Sequence, residues 1–196
     1  MTNITVFASH GGSDMQAIID GCKQGAISGR VVAVISNNID SYALVRAANE
    51  GIDRYHIAQS KYPDEESMVN AIMEVLETHN TDMVFLAGYL KKIDPSIIRK
   101  YKDNIYNIHP ALLPKYGGKG MHGIHVHTAV IENGEKETGI TIHRVTEEYD
   151  SGAIIAQATV PVLEGDTPEV LAARVLEREH TFLVEVLGEI TNKEQN

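Results

Sequence analysis

Val31-Val32-Ala33-Val34-Ile35-Ser36-Asn37-Asn38 is the stretch on which the fold turns. Five apolar residues, four of them β-branched, run without a polar break before Ser-Asn-Asn supplies turn chemistry. A strand with one wet face would alternate. A continuous run belongs to a strand covered on both faces, as in a parallel sheet between helical layers. Upstream, Ile4-Thr5-Val6-Phe7-Ala8 ends in a glycine-containing turn, and Met15, Ile18, Ile19 and Cys22 follow at helical spacing. Downstream, Ala43, Leu44, Ala47 and Ala48 mark a second helix. The cycle repeats with Tyr55-His56-Ile57, a helix bearing Met68, Ile72, Val75 and Leu76, the run Met83 to Ala87, a short helix after Pro95, and Ile105-Tyr106-Asn107-Ile108-His109.

The pattern changes after residue 138. Gly139 to Val145 and Ile154 to Val160 are strand-like and separated only by a polar turn around Tyr149-Asp150-Ser151-Gly152, which predicts an antiparallel pair. Thr167-Pro168 has the form of a helix cap and first helical residue, and Val170, Leu171, Val175, Phe182, Leu183, Val186 and Leu187 mark a long closing helix. The expected fold is α/β: three layers, a Rossmann-like and mostly parallel sheet, and an antiparallel strand pair near the C-terminal part. No repeat or linker divides the chain, so residues 1–196 are expected to form a single domain.

Composition narrows the function. At 43% hydrophobic and 22% charged, the 196 residues suffice for one substantial core. No apolar run is long enough to cross a membrane, and Met1-Thr2-Asn3 leads directly into a strand rather than a signal-type segment. A cytoplasmic protein, monomer or homodimer, is expected. Cys22 is the lone cysteine, which excludes an intrachain disulfide and a cysteine-based zinc site. A formal charge of −10 disfavours nucleic acid as a partner. Lys91, Lys92, Arg99, Lys100 and Lys102 form a local basic stretch, either a solvated helix face or an attractor for an anionic ligand tail.

In an open parallel sheet, ligands bind beyond the carboxyl ends of the strands. Three such places stand out. Ser9-His10-Gly11-Gly12-Ser13-Asp14 joins the first strand to the first helix, where backbone amides and a helix N-terminus can receive an oxyanion. The same segment also fits a glycine turn with Ser13 or Asp14 as an ordinary cap. At the fifth strand, alternation puts Asn107 and His109 on one face and Ile108 on the other, and Pro110 ends the pairing. An amide donor beside an imidazole suits acyl-group chemistry; a strand cap and a satisfied, half-buried histidine would use the same residues. Asp150 is ordinary turn chemistry unless folding carries it to His109, where its charge would favour imidazolium and raise the histidine pKa. His122, His125 and His127 read as incidental histidines of a flexible loop rather than a metal site, because His125 and His127 cannot share a helical face and no carboxylate is suitably spaced.

At these residues the sequence resembles the glycinamide ribonucleotide formyltransferases, folate-dependent enzymes of purine synthesis. The resemblance runs over nearly the whole chain. It includes the Gly-Ser loop, Leu86-Ala87-Gly88-Tyr89, Asn107-Ile108-His109-Pro110 with Ala111 to Tyr116, Gly139 to His143, Asp150-Ser151-Gly152 and Glu179-His180. It implies the formyltransferase fold, 10-formyltetrahydrofolate as formyl-donor co-substrate and no metal. It implies a catalytic trio of Asn107, His109 and Asp150, with protonated His109 and Asn107 stabilising the oxyanion and His143 in support. Gly12, Ser13 and the backbone of Asp14 would hold the ribonucleotide phosphate, with Glu179 at the glycinamide amine and Pro110 beside it. The reduced folate would lie against Leu86, Tyr89, Leu90, Lys91, Lys92 and Ile93, near Asn107, and against the loop from Val145 through Glu147 to Asp150.

The chain departs from that family at three places. His10 stands where glycine is usual and Asp14 where asparagine is usual, so the Asp14 N–H rather than its carboxylate is the expected phosphate contact, with the side chain turned away to cap the helix. An arginine often found near the folate tail is missing from the 61–67 stretch, leaving the basic stretch 91–102 as its substitute. The Gly117–Gly123 segment is longer than usual and reads as a mobile cover. Rival readings are another folate-dependent formyltransferase, a 10-formyltetrahydrofolate hydrolase, and a non-catalytic nucleotide-binding module.

Overall fold

The computed structural model describes residues 1–193; the last three residues of the expected 1–196 domain lie outside it. Seven strands form one sheet: β1 (Thr2–Phe7), β2 (Gly29–Ser36), β3 (Asp53–His56), β4 (Met83–Leu86), β5 (Ile105–His109), β6 (Glu137–Arg144) and β7 (Ile154–Pro161). Their order is β3-β2-β1-β4-β5-β6-β7. The first five are parallel, while β6 runs antiparallel to β5 and β7 to β6. Between them lie the helices α1 (Ser13–Lys23), α2 (Tyr42–Asn49), α3 (Glu65–Thr78), α4 (Pro95–Lys100), α5 (Ile124–Glu132) and α6 (Pro168–Lys193).

The continuous apolar runs serve two cores at once. Ile4 and Val6 of β1, Val34 of β2 and Met83 and Phe85 of β4 pack with Met15 and Ile18 of α1, Ala43 and Ala47 of α2, Val130 of α5 and Leu183 of α6. Their neighbours in sequence, Phe7, Ala33, Ile35, Val84 and Leu86, turn the other way against Ile72 and Leu76 of α3 and Ile97 of α4. This is the period-two alternation of a strand with both faces covered. It gives three layers, with α1, α2, α5 and α6 on one face of the sheet and α3 and α4 on the other.

Two expectations need correction. The third strand is Asp53–His56 rather than Tyr55 to Ile57, with Ile57 buried just past its end. More consequentially, the region read as a flexible loop with incidental histidines contains α5, on which His125 and His127 both lie. Val126 and Val130, four residues apart, are fully buried and anchor this helix, and Gly123 enters it at φ 54.

Because the chain runs to opposite faces after β1 and after β4, a crevice opens between their carboxyl ends. Ser9 ties its two walls together: its hydroxyl donates to Asn37 Oδ1 at 2.6 Å and accepts from the Leu90 N–H at 2.9 Å. The β6–β7 turn is held as closely. A Cβ at Gly152 would stand 1.7 Å from the Arg144 carbonyl oxygen. Gly152→Ala should therefore push the Asp150 turn off β6 and cost about 1–3 kcal/mol, read as a lower urea midpoint. A wild-type midpoint would show that the turn accommodates a side chain.

Candidate active site

One cleft of about 960 Å³ runs across the carboxyl ends of β1, β4 and β5. It brings together Gly12, Ser13 and Asp14, the segment from Leu86 to Ile93, Asn107, His109, Pro110, Val145, Asp150 and Glu179. Of the residues to which the family resemblance gives a catalytic, substrate or folate contact, Glu147 alone stands outside the lining; its carboxylate lies 3.9 Å from Arg99. Lys100 is paired with Glu77, so the basic stretch is divided and only Lys91 and Lys92 reach the cleft wall.

The β5–β6 register builds the chemical end. It sets Asn107 opposite His143 and His109 opposite Thr141. The Thr141 hydroxyl donates to the Ala111 carbonyl at 2.7 Å and accepts from the Leu113 N–H at 3.1 Å and Gln157 Nε2 at 2.9 Å. These bonds fix the segment after Pro110. The following residues bring the Tyr116 carbonyl to 2.7 Å from His109 Nε2. A carbonyl only accepts, so Nε2 carries a proton, and Nδ1 faces Asp150 Oδ2 at 3.8 Å.

His143 is fixed by the same logic. Its Nδ1–H donates to the Arg144 carbonyl at 2.8 Å, and Nε2 lies 3.0 Å from Asn107 Nδ2 and 3.4 Å from Asp150 Oδ1. Asn107 Nδ2 makes a second, long contact of 3.5 Å to Asp150 Oδ1. That amide hydrogen is the one free to turn towards a ligand. Asp150 itself adopts φ 52, and its Oδ2 accepts from the Gly118 N–H at 2.8 Å. Burial raises the Asp150 carboxyl, but the His143 ring at 3.4 Å, the hydrogen bond from the Gly118 N–H and the nearby His109 outweigh it and leave the pKa below the ordinary aspartate value.

For His109 the balance runs against the expectation of a raised pKa. Burial, the largest influence, lowers it, and the upward pulls of Asp150 and the Tyr116 carbonyl do not restore it. The imidazole is 4% exposed and is neutral near neutrality. Because the unfolded chain takes up that proton more readily, stability falls as pH drops below the ordinary histidine value of 6.5. The contribution of Asp150 is lost only further down, as pH falls through its lowered pKa.

At the opposite end, Gly12 caps α1 at φ 69, and no side chain caps the helix. The carbonyls of His10 and Gly11 are occupied: Ala43 N and Ser41 Oγ donate to the first, Arg46 Nε to the second. Among the described residues nothing accepts from the N–H groups of Gly12, Ser13 and Asp14. A Cβ at Gly12 would come within 2.7 Å of Ala43 Cβ, so only glycine allows α1 and α2 to close around this turn. Asp14 turns away from it, neither capping the helix nor facing the open amides. Its carboxyl points to Glu179 and lies 3.4 Å from His180 Nε2.

Sequence reasoning missed other members of the lining. His127, 4% exposed, leaves Nδ1 without a hydrogen-bond partner, and Ala172 and Leu176 of α6 join the wall. The Val126 and Val130 spacing was the available signal for the helix that delivers His127. Burial, then the charge of His109, lowers the His127 pKa. His122 and His125 stack edge to face at 5.6 Å, and among the described residues no group of three or more His, Cys, Asp or Glu side chains is arranged to hold a metal ion.

A formyl transferase family model matches residues 2–187. The chain is 44% identical over 188 residues to the chloroplastic phosphoribosylglycinamide formyltransferase of Arabidopsis thaliana, covering 95% of this chain but 64% of that protein. It is 40% identical to the phosphoribosylglycinamide formyltransferase of Escherichia coli, over 92% of this chain and 82% of the relative. The crystal structure of glycinamide ribonucleotide transformylase 1 from Symbiobacterium toebii superposes with a TM-score of 0.91 at 39% identity, over 98% of this chain and 89% of that one.

Asp150→Asn removes the main upward pull on His109. The His109 pKa should fall further below its ordinary value, as followed by the ring C–H resonances in an NMR titration. An unchanged or higher value would contradict the assigned contact.

Proposed function

The chain belongs to the formyl transferase family, and on that footing we propose that it transfers a formyl group from 10-formyltetrahydrofolate to the amine of glycinamide ribonucleotide. The observation that carries this reading is the meeting of Asn107, His109 and Asp150 at one end of a cleft whose other end offers open amides. Two substrates bound in one crevice react as if joined. The 1–196 chain acts as one catalytic unit.

The lining supports a set of binding roles. The amides of Gly12, Ser13 and Asp14 hold the phosphate at the positive end of α1. Glu179 and Pro110 meet the glycinamide end. Leu86, Tyr89, Leu90 and Ile93 offer the reduced folate an apolar wall, with Tyr89 steadied edge-on against Phe7 at 5.2 Å. Burial pushes the Tyr89 phenol up to about 12, so it stays protonated. Lys91 and Lys92 face the anionic tail, and the backbone from Val145 to Asp150 meets the pterin. Glu147 takes part through that backbone alone, its side chain leaning towards Arg99.

The folate supplies a formyl carbon open to attack by the neutral amine. As the new C–N bond forms, Asn107 turns its loosely held N–H to the formyl oxygen and stabilises the developing charge. His109 acts from its neutral form, a change from the protonated role the family resemblance implied. Nδ1 takes the proton from the attacking nitrogen and returns it to the departing folate nitrogen. Asp150, beside Nδ1, stabilises the imidazolium that exists between the two transfers. His143 keeps the Asn107 amide aimed.

A partly buried, unpaired Cys22 accords with a reducing compartment such as the cytoplasm. Among the described residues no helix is long and apolar enough to cross a membrane.

Release of folate product, measured with and without glycinamide ribonucleotide, tests the proposal. Release that requires the ribonucleotide is expected; release independent of it would assign the chain to hydrolysis instead. His109→Ala should lower kcat by about 10²–10⁴-fold with an unchanged circular dichroism spectrum. Near-normal turnover would remove His109 from the mechanism.

A further inference from the structure

Tyr116, Gly117 and Gly118 form a short strap that touches both titratable members of the site. The Tyr116 carbonyl stands 2.7 Å from His109 Nε2, and the Gly118 N–H donates to Asp150 Oδ2 at 2.8 Å. The strap is entered through an unfavourable backbone, because Tyr116 adopts φ 57, a left-handed conformation that residues with a side chain rarely take. Something must hold it there. The Tyr116 hydroxyl donates to Glu135 Oε1 at 2.9 Å, and Lys115 Nζ donates to the same oxygen at 2.9 Å. Lys115, Tyr116 and Glu135 do not line the active-site cleft; they border a separate cavity of about 240 Å³.

Glu135 is itself fixed from behind. Gly134 leaves α5 at φ 64 with its N–H on the Ile131 carbonyl at 2.9 Å, and the Glu135 N–H donates to the Val130 carbonyl at 3.2 Å. This is a glycine helix stop on a turn anchored by the fully buried Val130. Glu135 therefore offers Tyr116 an acceptor that belongs to the helical layer and not to the glycine-rich segment beyond the strap.

We propose that Glu135 is a positioning residue: by holding the Tyr116 hydroxyl it keeps the Tyr116 carbonyl on His109 Nε2, and so selects the tautomer of His109 whose lone pair lies on Nδ1. The consequence for turnover rests on the formyl-transfer reading, in which Nδ1 accepts the proton; the contacts do not. A neutral imidazole carries its one proton on either nitrogen. Asp150 Oδ2, 3.8 Å from Nδ1, draws the proton to that side, whereas the Tyr116 carbonyl holds it on Nε2. A contact of 2.7 Å is a hydrogen bond and one of 3.8 Å is not, so the carbonyl decides. Were the carbonyl to swing away, the Nε2–H of a ring only 4% exposed would be left without an acceptor. The proton would then settle on Nδ1, facing Asp150, and the base would lose the lone pair it uses. The same swing would withdraw the Gly118 N–H from Asp150 and leave that carboxylate in greater need of a donor.

The hydroxyl bond, and not the ion pair, is the operative contact. Lys115 is 69% exposed, and an exposed pair of this kind contributes little. A glutamine amide oxygen can accept from the Tyr116 hydroxyl as the carboxylate does, so the position needs an acceptor and not a charge.

Nitrogen-15 NMR of the full chain with labelled histidine reads the tautomer, the His109 signals being identified by their loss in His109→Ala, and steady-state kinetics are measured alongside. In the wild type, neutral His109 should carry its proton on Nε2. Tyr116→Phe, which keeps the ring and its packing, and Glu135→Ala should both move the proton towards Nδ1 and lower kcat about tenfold, with KM for the ribonucleotide and for the folate unchanged. Glu135→Gln should restore both readings, and Lys115→Ala should leave both as in the wild type. A wild-type tautomer in Tyr116→Phe and Glu135→Ala overturns the proposal, whatever happens to kcat, and so does a wild type protonated on Nδ1. A moved tautomer with unchanged kcat upholds the clamp and overturns Nδ1 as the proton acceptor. A moved tautomer in a chain whose wild type transfers nothing to the ribonucleotide upholds the clamp and overturns the formyl-transfer reading.

Discussion

A carboxylate held in the αL conformation at the edge of a cleft organises the chemical end of this molecule. Asp150 is largely removed from water, and burying such a charge without partners is expensive. Its partners come from three segments: the Gly118 N–H from the loop after β5, Asn107 and His109 from β5, and His143 from β6. None of these contacts alone would hold the charge. Together they leave Asp150 ionised while His109, more deeply buried, stays neutral. That asymmetry gives the site a base with an anion already in place to stabilise its protonated form, a division of labour between two titratable groups set by environment.

The remaining architecture delivers those partners. The antiparallel pairing of β6 with β5 sets His143 beside Asn107. Thr141 and Gln157, reaching from β6 and β7, fix the segment that leads to the Tyr116 carbonyl. The other end of the cleft depends on packing between helices. Gly12 lets α2 approach, α2 occupies the loop carbonyls, and α6 lies against α1 so that His180 stands beside Asp14. One crevice is thus lined by the open amides of Gly12 to Asp14, by Glu179 and by the neutral imidazole of His109.

Much of this was legible in the residues. The unbroken runs at Val31–Ile35 and Met83–Ala87 require covering on both faces, and the structure supplies it. Pro110 ends β5 where expected, and Thr167 Oγ1 accepts from the Val170 N–H at the start of α6. The trio could be proposed from strand alternation and a turn, but its proximity is a matter of register across 43 residues, which local pattern does not encode. The helix carrying His127 was hidden because glycines and histidines flank it, and its two buried valines are a weak signal. The direction of the His109 shift is not legible in the sequence for a physical reason: a charge partner is visible there as a candidate, whereas the depth of burial that outweighs it belongs to the folded state. In the sequence Asp14 has only local neighbours, which makes it a helix-cap candidate; in the fold it lies beside His180 of α6.

Following the formyl carbon tests the central claim most directly. With ¹³C in the formyl group of 10-formyltetrahydrofolate and glycinamide ribonucleotide present, a single turnover should move the label into a new formamide on the ribonucleotide, with none appearing as free formate. Label recovered as formate, or retained on the folate while the ribonucleotide is bound, would contradict the account.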